Sequence, residues 1–199
     1  MNKVLLGAAV LLTVASTQVM AGPNWDEVSV SYISTEFDDG EDIDGFGISG
    51  TKLINSNFFV AGSYSSQEVE SFNDFGFRAD VDFNSLSLGI GARKAVANNT
   101  DVYGVLSYES REAALSSGFS SATIDDIDGY GVTAGVRTMM TPKVELNAAV
   151  NYLDLDDVDS DTSFEVGGAF HFNSQFAVEA NYEKADEADV LTLSGTFKF

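Results

Sequence analysis

An all-β chain, closed as an antiparallel up-and-down barrel that crosses a membrane, is predicted by three features of the sequence. Apolar residues alternate with small polar ones at period two in ten separate segments. The last of these, Val190 to Phe199, finishes on an aromatic side chain and is suited to pair back with the first and close a barrel. No stretch is continuously apolar for the ~20 residues that a membrane-spanning helix requires.

The N-terminal stretch reads as an export signal. Asn2 and Lys3 form a short cationic head, Val4 to Val14 an apolar run, and Val19-Met20-Ala21 a small-residue cleavage site. Residues 1–21 are therefore expected to be a signal peptide and residues 22–199 the barrel. The chain has no Cys, 15 Phe, 7 Tyr and 18 Gly but only 2 Pro, a composition suited to many strands and tight turns. A net charge of −21 argues against a nucleic-acid partner and against peripheral attachment to an anionic membrane.

Taken in order, the outward-facing sets are Val28, Val30, Tyr32; Phe46, Ile48, Gly50; Phe58, Val60, Gly62, Tyr64; and Leu86, Leu88, Ile90, Ala92. They continue as Val102, Gly104, Leu106, Tyr108; Tyr130, Val132, Ala134, Val136; and Val144, Leu146, Ala148, Val150, Tyr152. Phe164, Val166, Gly168, Phe170, Phe172, then Phe176, Val178, Ala180, Tyr182, and the C-terminal strand complete the ten. Eight strands is the alternative count. None of these positions is charged, whereas the alternate positions are mostly Ser, Gly, Thr, Ala and Asn with scattered charges. A water-facing sheet would carry many long Lys and Glu side chains, while a crowded lumen favours small ones. The apolar face is therefore expected to meet lipid.

Connections alternate in length. Ile54–Asn57, Ala95–Asn99, Met140–Pro142 and Asn173-Ser174 are short; 38–45, 69–83, 110–128, 153–161 and 183–189 are long. Short turns belong on the periplasmic side of such a barrel and long loops outside. Tyr32, Tyr64, Tyr108, Tyr130, Tyr152 and Tyr182 then fall at one rim as an aromatic girdle, opposite Phe58, Phe172, Phe176 and Phe199.

The segment Asp42-Ile-Asp-Gly-Phe-Gly-Ile-Ser49 recurs as Asp126-Ile-Asp-Gly-Tyr-Gly-Val-Thr133. The run Asp128–Arg137, followed by Thr141–Ala148 and Tyr152–Asp157, resembles small proteobacterial outer-membrane β-barrel proteins of the porin-like superfamily. The alternating C-terminal strand ending in Phe199 likewise resembles the assembly signal of bacterial outer-membrane proteins. The resemblance implies the outer membrane of a Gram-negative bacterium and carries over no catalytic residue. The partners it implies are outer-membrane lipid, lipopolysaccharide and the assembly machinery.

Three groups of residues carry candidate chemistry. Turn centres at Ala97 and Thr141 place Arg93 opposite Asp101 and Arg137 opposite Glu145, as lumen charge pairs near the periplasmic end. Such pairs either fill the barrel or form the constriction of a small pore. At the outer rim, Asp42, Asp44, Asp126, Asp128, Asp157 and Asp159 are candidates for weakly held calcium or magnesium; a solvated acidic face is the competing reading. Asp157, Asp159 and Asp161 match positions 1, 3 and 5 of an EF-hand loop, but Thr162 replaces its Gly and Gly168 its final Glu, so that motif fails. His171 is the lone histidine, and with Ser163 and Glu179 it makes no recognisable triad. No enzyme and no organic cofactor are expected.

The expected function is a structural or surface-interaction role, with acidic extracellular loops and a largely plugged lumen. A narrow porin-like channel for ions or small solutes is the alternative, and an outer-membrane lipid-modifying enzyme or protease the least expected. Deleting Phe199 should impair membrane insertion and leave aggregated or degraded chain; normal surface levels, measured by labelling intact cells, would contradict the closing-strand reading.

Overall fold

The structure, a computed structural model, describes residues 22–37, 42–72, 78–117, 120–156 and 158–199. For 69–72, 78–80, 115–117 and 120–125 it describes the backbone alone. The expected signal peptide lies outside the described residues. Ten strands follow in chain order: β1 (Glu27–Phe37), β2 (Ile43–Leu53), β3 (Phe58–Phe72), β4 (Arg78–Ala97), β5 (Thr100–Ser117), β6 (Ser120–Thr141), β7 (Val144–Leu155), β8 (Asp161–His171), β9 (Phe176–Lys184) and β10 (Ala188–Lys198). Each pairs antiparallel with its neighbours in sequence, and β1 pairs with β10, so the sheet is a closed barrel. No helix of the described residues is long and apolar enough to cross a membrane.

The seam runs from Glu27↔Lys198 to Phe37↔Ala188. Inward hydroxyls reinforce it where they face each other, Ser29 with Thr196 and Ser31 with Ser194, both at 2.8 Å. Phe199 donates its backbone N–H to the Asp26 carbonyl at 3.0 Å, so the terminal residue is tied to the start of β1. Its ring also lies 4.6 Å from the Lys52 ammonium, which pairs with Asp26 at 3.1 Å.

The burial pattern is inverted relative to a water-soluble domain. Val30, Phe46, Ile90, Leu106 and Phe164 are exposed on the outer face. Ser29, Ser31, Thr35, Ser163, Ser194 and Thr196 are buried inside. In lipid, the exposed apolar bands are solvated; in the lumen Ser29 pairs with Thr196 and Ser31 with Ser194, while Thr35 accepts from Gln67 and Ser163 donates to Glu183. Two inward glycines make room for the larger interior rings: Phe59 lies directly over Gly91, and the Tyr103 phenol covers Gly135, where a Cβ would stand 2.6 Å from its hydroxyl.

Two expectations are corrected. The loops 69–83 and 110–128 are largely strand, because backbone pairing continues after the apolar alternation fades. Pairing of β2 with β3 stops at Asp44↔Glu68 and that of β6 with β7 at Gly129↔Leu155. Beyond them β3, β4, β5 and β6 pair only among themselves, up to Phe72↔Arg78, Asp80↔Ser116 and Ser117↔Ser120. With ~9–11 residues sufficient to cross the bilayer, this four-stranded sheet stands beyond one side of the outer rim. The short turns also shift: the β4–β5 turn is Asn98-Asn99, and the β6–β7 turn is Pro142-Lys143.

If Val150 faces hydrocarbon and its neighbour Asn151 the lumen, Val150→Arg should cost ~2–4 kcal/mol near mid-depth. Asn151→Arg should cost less. Chemical unfolding in lipid vesicles measures both; the reverse order would contradict the facing of every strand.

Candidate functional site

A layer of charged and aromatic side chains crosses the lumen at its periplasmic end, in two halves. The ionic half centres on Arg137 of β6. Its Nε donates to Glu145 at 2.5 Å, and its Nη1 donates to Glu27 at 2.8 Å. Lys198 of β10 lies 3.1 Å from Glu27 and 3.4 Å from Glu145, and the His171 Nε2 lies 3.2 Å from Glu145. Glu145 and Lys198 are 3% and 2% exposed. Charges so enclosed persist only when paired and hydrogen-bonded, and two acids matched with an arginine and a lysine meet that condition.

The aromatic half is built around Trp25, which precedes β1 and is 2% exposed. Its indole packs at a tilt 4.6 Å from Phe59 and edge-on 5.1 Å from Tyr103, and the Arg137 guanidinium lies 4.7 Å from it. The indole N–H donates to Asp101 at 2.8 Å, and Arg93 reaches the same carboxylate oxygen at 2.7 Å. Outside the membrane, Asp26 accepts from the Leu53 N–H at 2.8 Å; that bond, with the Lys52 partner, holds its carboxyl below the usual range.

Arg93 does contact Asp101, and Arg137 does contact Glu145, but across a different register from the one anticipated. Arg93 stands opposite Tyr103 and Arg137 opposite Asn147; Asp101 faces Ala95 and Glu145 faces Met139. Irregularities at Ala95/Ala97 and Met139/Thr141 move each turn by about one residue. The long arginine side chains close the resulting diagonal. Glu27 and Lys198 were visible as inward charges at the periplasmic ends of β1 and β10, and adding them to the pairs would have revealed the ionic half. Trp25 was missed; its signal was that the sole tryptophan sits just before the first strand.

Above this layer the lumen carries Glu109, Glu165, Glu179 and Glu183. Ser87 and Ser107 donate to Glu109 at 2.7 and 2.5 Å, Asn147 donates to Glu165 at 2.8 Å, and Ser163 donates to Glu183. His171 is far from the rim and engaged with Glu145, and no Ser-His-acid array assembles among the described residues.

At the outer rim the tyrosine girdle is hydrogen-bonded to outward acids and an amide just above it. Tyr108 donates to Asp128 at 2.5 Å, Tyr130 to Asp154 at 2.7 Å, Tyr152 to Asp154 at 3.3 Å and Tyr64 to Asn84 at 3.0 Å. Tyr32 pairs with Asp44 and Tyr182 with Asp189. Lys184 also reaches Asp189, at 2.8 Å. Asp42, Asp44, Asp126, Asp128 and Asp159 are exposed, and Asp157 lies outside the described residues. Among the described residues no three acidic or histidine side chains converge as a metal site would require.

The sequence profile of the outer membrane protein beta-barrel domain matches residues 7–172. Among solved structures, the chain is similar to Ail, the attachment invasion locus protein of Yersinia pestis, in complex with the heparin analogue sucrose octasulfate. The two are 18% identical, with a TM-score of 0.50 over 90% of this chain and 100% of that one. It is also similar to the NanC porin, at 5% identity and a TM-score of 0.53, over 86% of this chain and 100% of that one. At these identities the likeness is one of fold. No match is found among curated proteins.

The two arginines should differ in weight. Arg137→Ala leaves buried Glu145 and half-buried Glu27 with Lys198 as their remaining full charge and should cost ~3–5 kcal/mol. Arg93→Ala should cost less, because Asp101 keeps the Trp25 N–H and Arg93 is the more exposed of the two. Equal losses in unfolding experiments would contradict the central place given to Arg137.

Proposed function

Because the chain belongs to the outer membrane protein beta-barrel domain family, and so resides in the outer membrane of a Gram-negative bacterium, we propose that it is a structural, surface-interacting barrel whose lumen is closed on the periplasmic side. The observation that carries this reading is the layer of Trp25, Arg93, Arg137, Glu27, Glu145 and Lys198. Its members touch one another across the lumen from the segment before β1 to β10. Ten strands lie between eight, whose interior side chains can fill, and the sixteen of open porins, so the packed layer rather than strand number carries the closed reading.

The sheet formed by β3 to β6 beyond the rim supports the surface role. Past Asp128, which accepts the Asp156 N–H at 2.8 Å, β6 has no strand partner on its β7 side among the described residues. Such an edge offers backbone groups to an extended segment of another protein. The ligand crystallised with the Yersinia protein is not carried over: a polyanion would meet a chain of net charge −21 bearing an acidic rim. That rim attracts divalent cations diffusely and lies beside lipopolysaccharide, with no shaped metal site among the described residues.

A narrow channel is the second reading, favoured by the acidic lumen above the layer. Planar-bilayer recordings separate the two. The mature protein should be nearly silent, and the Arg93→Ala, Arg137→Ala double variant should conduct more or unfold sooner. Steady cation-preferring conductance from the unaltered protein would overturn closure in favour of the channel.

A further inference from the structure

The two halves of the lumen layer are attached to the barrel differently. Every group of the ionic half sits on a strand that is hydrogen-bonded on both sides: Glu27 on β1, Arg137 on β6, Glu145 on β7, His171 on β8 and Lys198 on β10. The aromatic half is completed by Trp25, which lies on no strand. In the segment Gly22–Asp26, Pro23 and Trp25 are buried and Asn24 is exposed, so the segment enters the lumen as a strap. Its firm anchor is Asp26, which bonds to Leu53, Lys52 and Phe199. On the inner side of that anchor, Trp25 is held by the Asp101 carboxylate and by the Thr51 hydroxyl, which donates to its carbonyl at 2.7 Å. Arg93 already neutralises Asp101, so withdrawal of the indole strands no charge.

Beside the strap lies a cavity of about 240 Å³, walled by the hydroxyls of Ser29, Ser49, Ser63 and Ser87 and by Glu27 and Glu179. Thr51, whose hydroxyl holds the strap, lines the same cavity. The Glu179 Oε1 is buried there without a hydrogen-bond partner. A space lined by hydroxyls and carboxylates accommodates a small hydrated cation and disfavours an anion.

We propose that Gly22–Asp26 is a gate: Trp25 seals the β1–β5 half of the lumen, and its withdrawal towards the periplasm opens a path for small cations. This rests on the reading that the lumen is closed at rest. Movement of one tryptophan and the residues before it suffices, while the ionic half continues to hold the barrel together.

Because Trp25 is the sole tryptophan, its fluorescence reports the strap directly. In vesicles, acrylamide should quench the mature protein weakly. Thr51→Val, which frees the Trp25 carbonyl, should quench more strongly and open more often in planar bilayers. Trp25→Ala should raise potassium conductance severalfold over the unaltered protein, with a reversal potential displaced towards potassium in a potassium chloride gradient. Trp25→Phe, which keeps most of the ring but loses the bond to Asp101, should open more often than the unaltered protein and conduct less than Trp25→Ala. If the unaltered protein conducts as well as Trp25→Ala, closure itself fails and the gate with it. If the unaltered protein is silent and folded Trp25→Ala is equally silent, the gate is overturned while closure stands. Anion preference in the opened variant would overturn the cation path. Should Trp25→Ala fail to fold, Thr51→Val decides: unchanged quenching and opening frequency would overturn the gate.

Discussion

The structure depends first on the pairing of β1 with β10. Hydrocarbon offers no hydrogen bonds to the backbone, so a sheet can cross a bilayer only when no edge is left within it. Eleven residue pairs from Glu27↔Lys198 to Phe37↔Ala188 meet that demand. Closure then fixes which residues face where, since side chains alternate and a shift by one would turn Val28, Val30 and Tyr32 inward. The hydroxyl pairs of the seam and the attachment of Phe199 to Asp26 follow from the same closure.

A closed barrel creates a second demand, that of its interior. Charges placed in a narrow lumen must neutralise one another locally, and Arg137 does this for two carboxylates at once. Small residues elsewhere in the lumen make this crowding possible, as Gly91 and Gly135 do for Phe59 and Tyr103. The same economy of space lets a segment outside the sheet insert an indole among the arginines, so the start of the barrel also fills its end. Outward tyrosines meet the opposite demand: their rings lie in the interface and their hydroxyls turn up to acids and an amide at the water boundary.

Much of this was legible in the sequence because lipid imposes a simple rule on it. The ten strands, the inward and outward sets and the height of the tyrosines all follow from period-two alternation. Turn register did not follow, since alternation is indifferent to where within Ala95–Asn99 or Met139–Lys143 the chain reverses and irregularities absorb a residue. The lengths of β3 to β6 were underestimated because strands outside the bilayer need no apolar face. Trp25 escaped notice because it obeys no periodicity: it is positioned by three-dimensional contacts with Phe59, Tyr103, Asp101 and Arg137, on strands far apart in the chain.

Residue-resolved hydrogen exchange in lipid micelles tests the central claim of closure most directly. The amides of Val28, Val30, Gly195 and Phe197, which point across the seam as that of Phe199 does to Asp26, should exchange as slowly as those of Val132 to Val136 in β6, which are flanked by strands on both sides. Fast exchange confined to β1 and β10 would mean that the sheet has two free edges, and would contradict the account at its root.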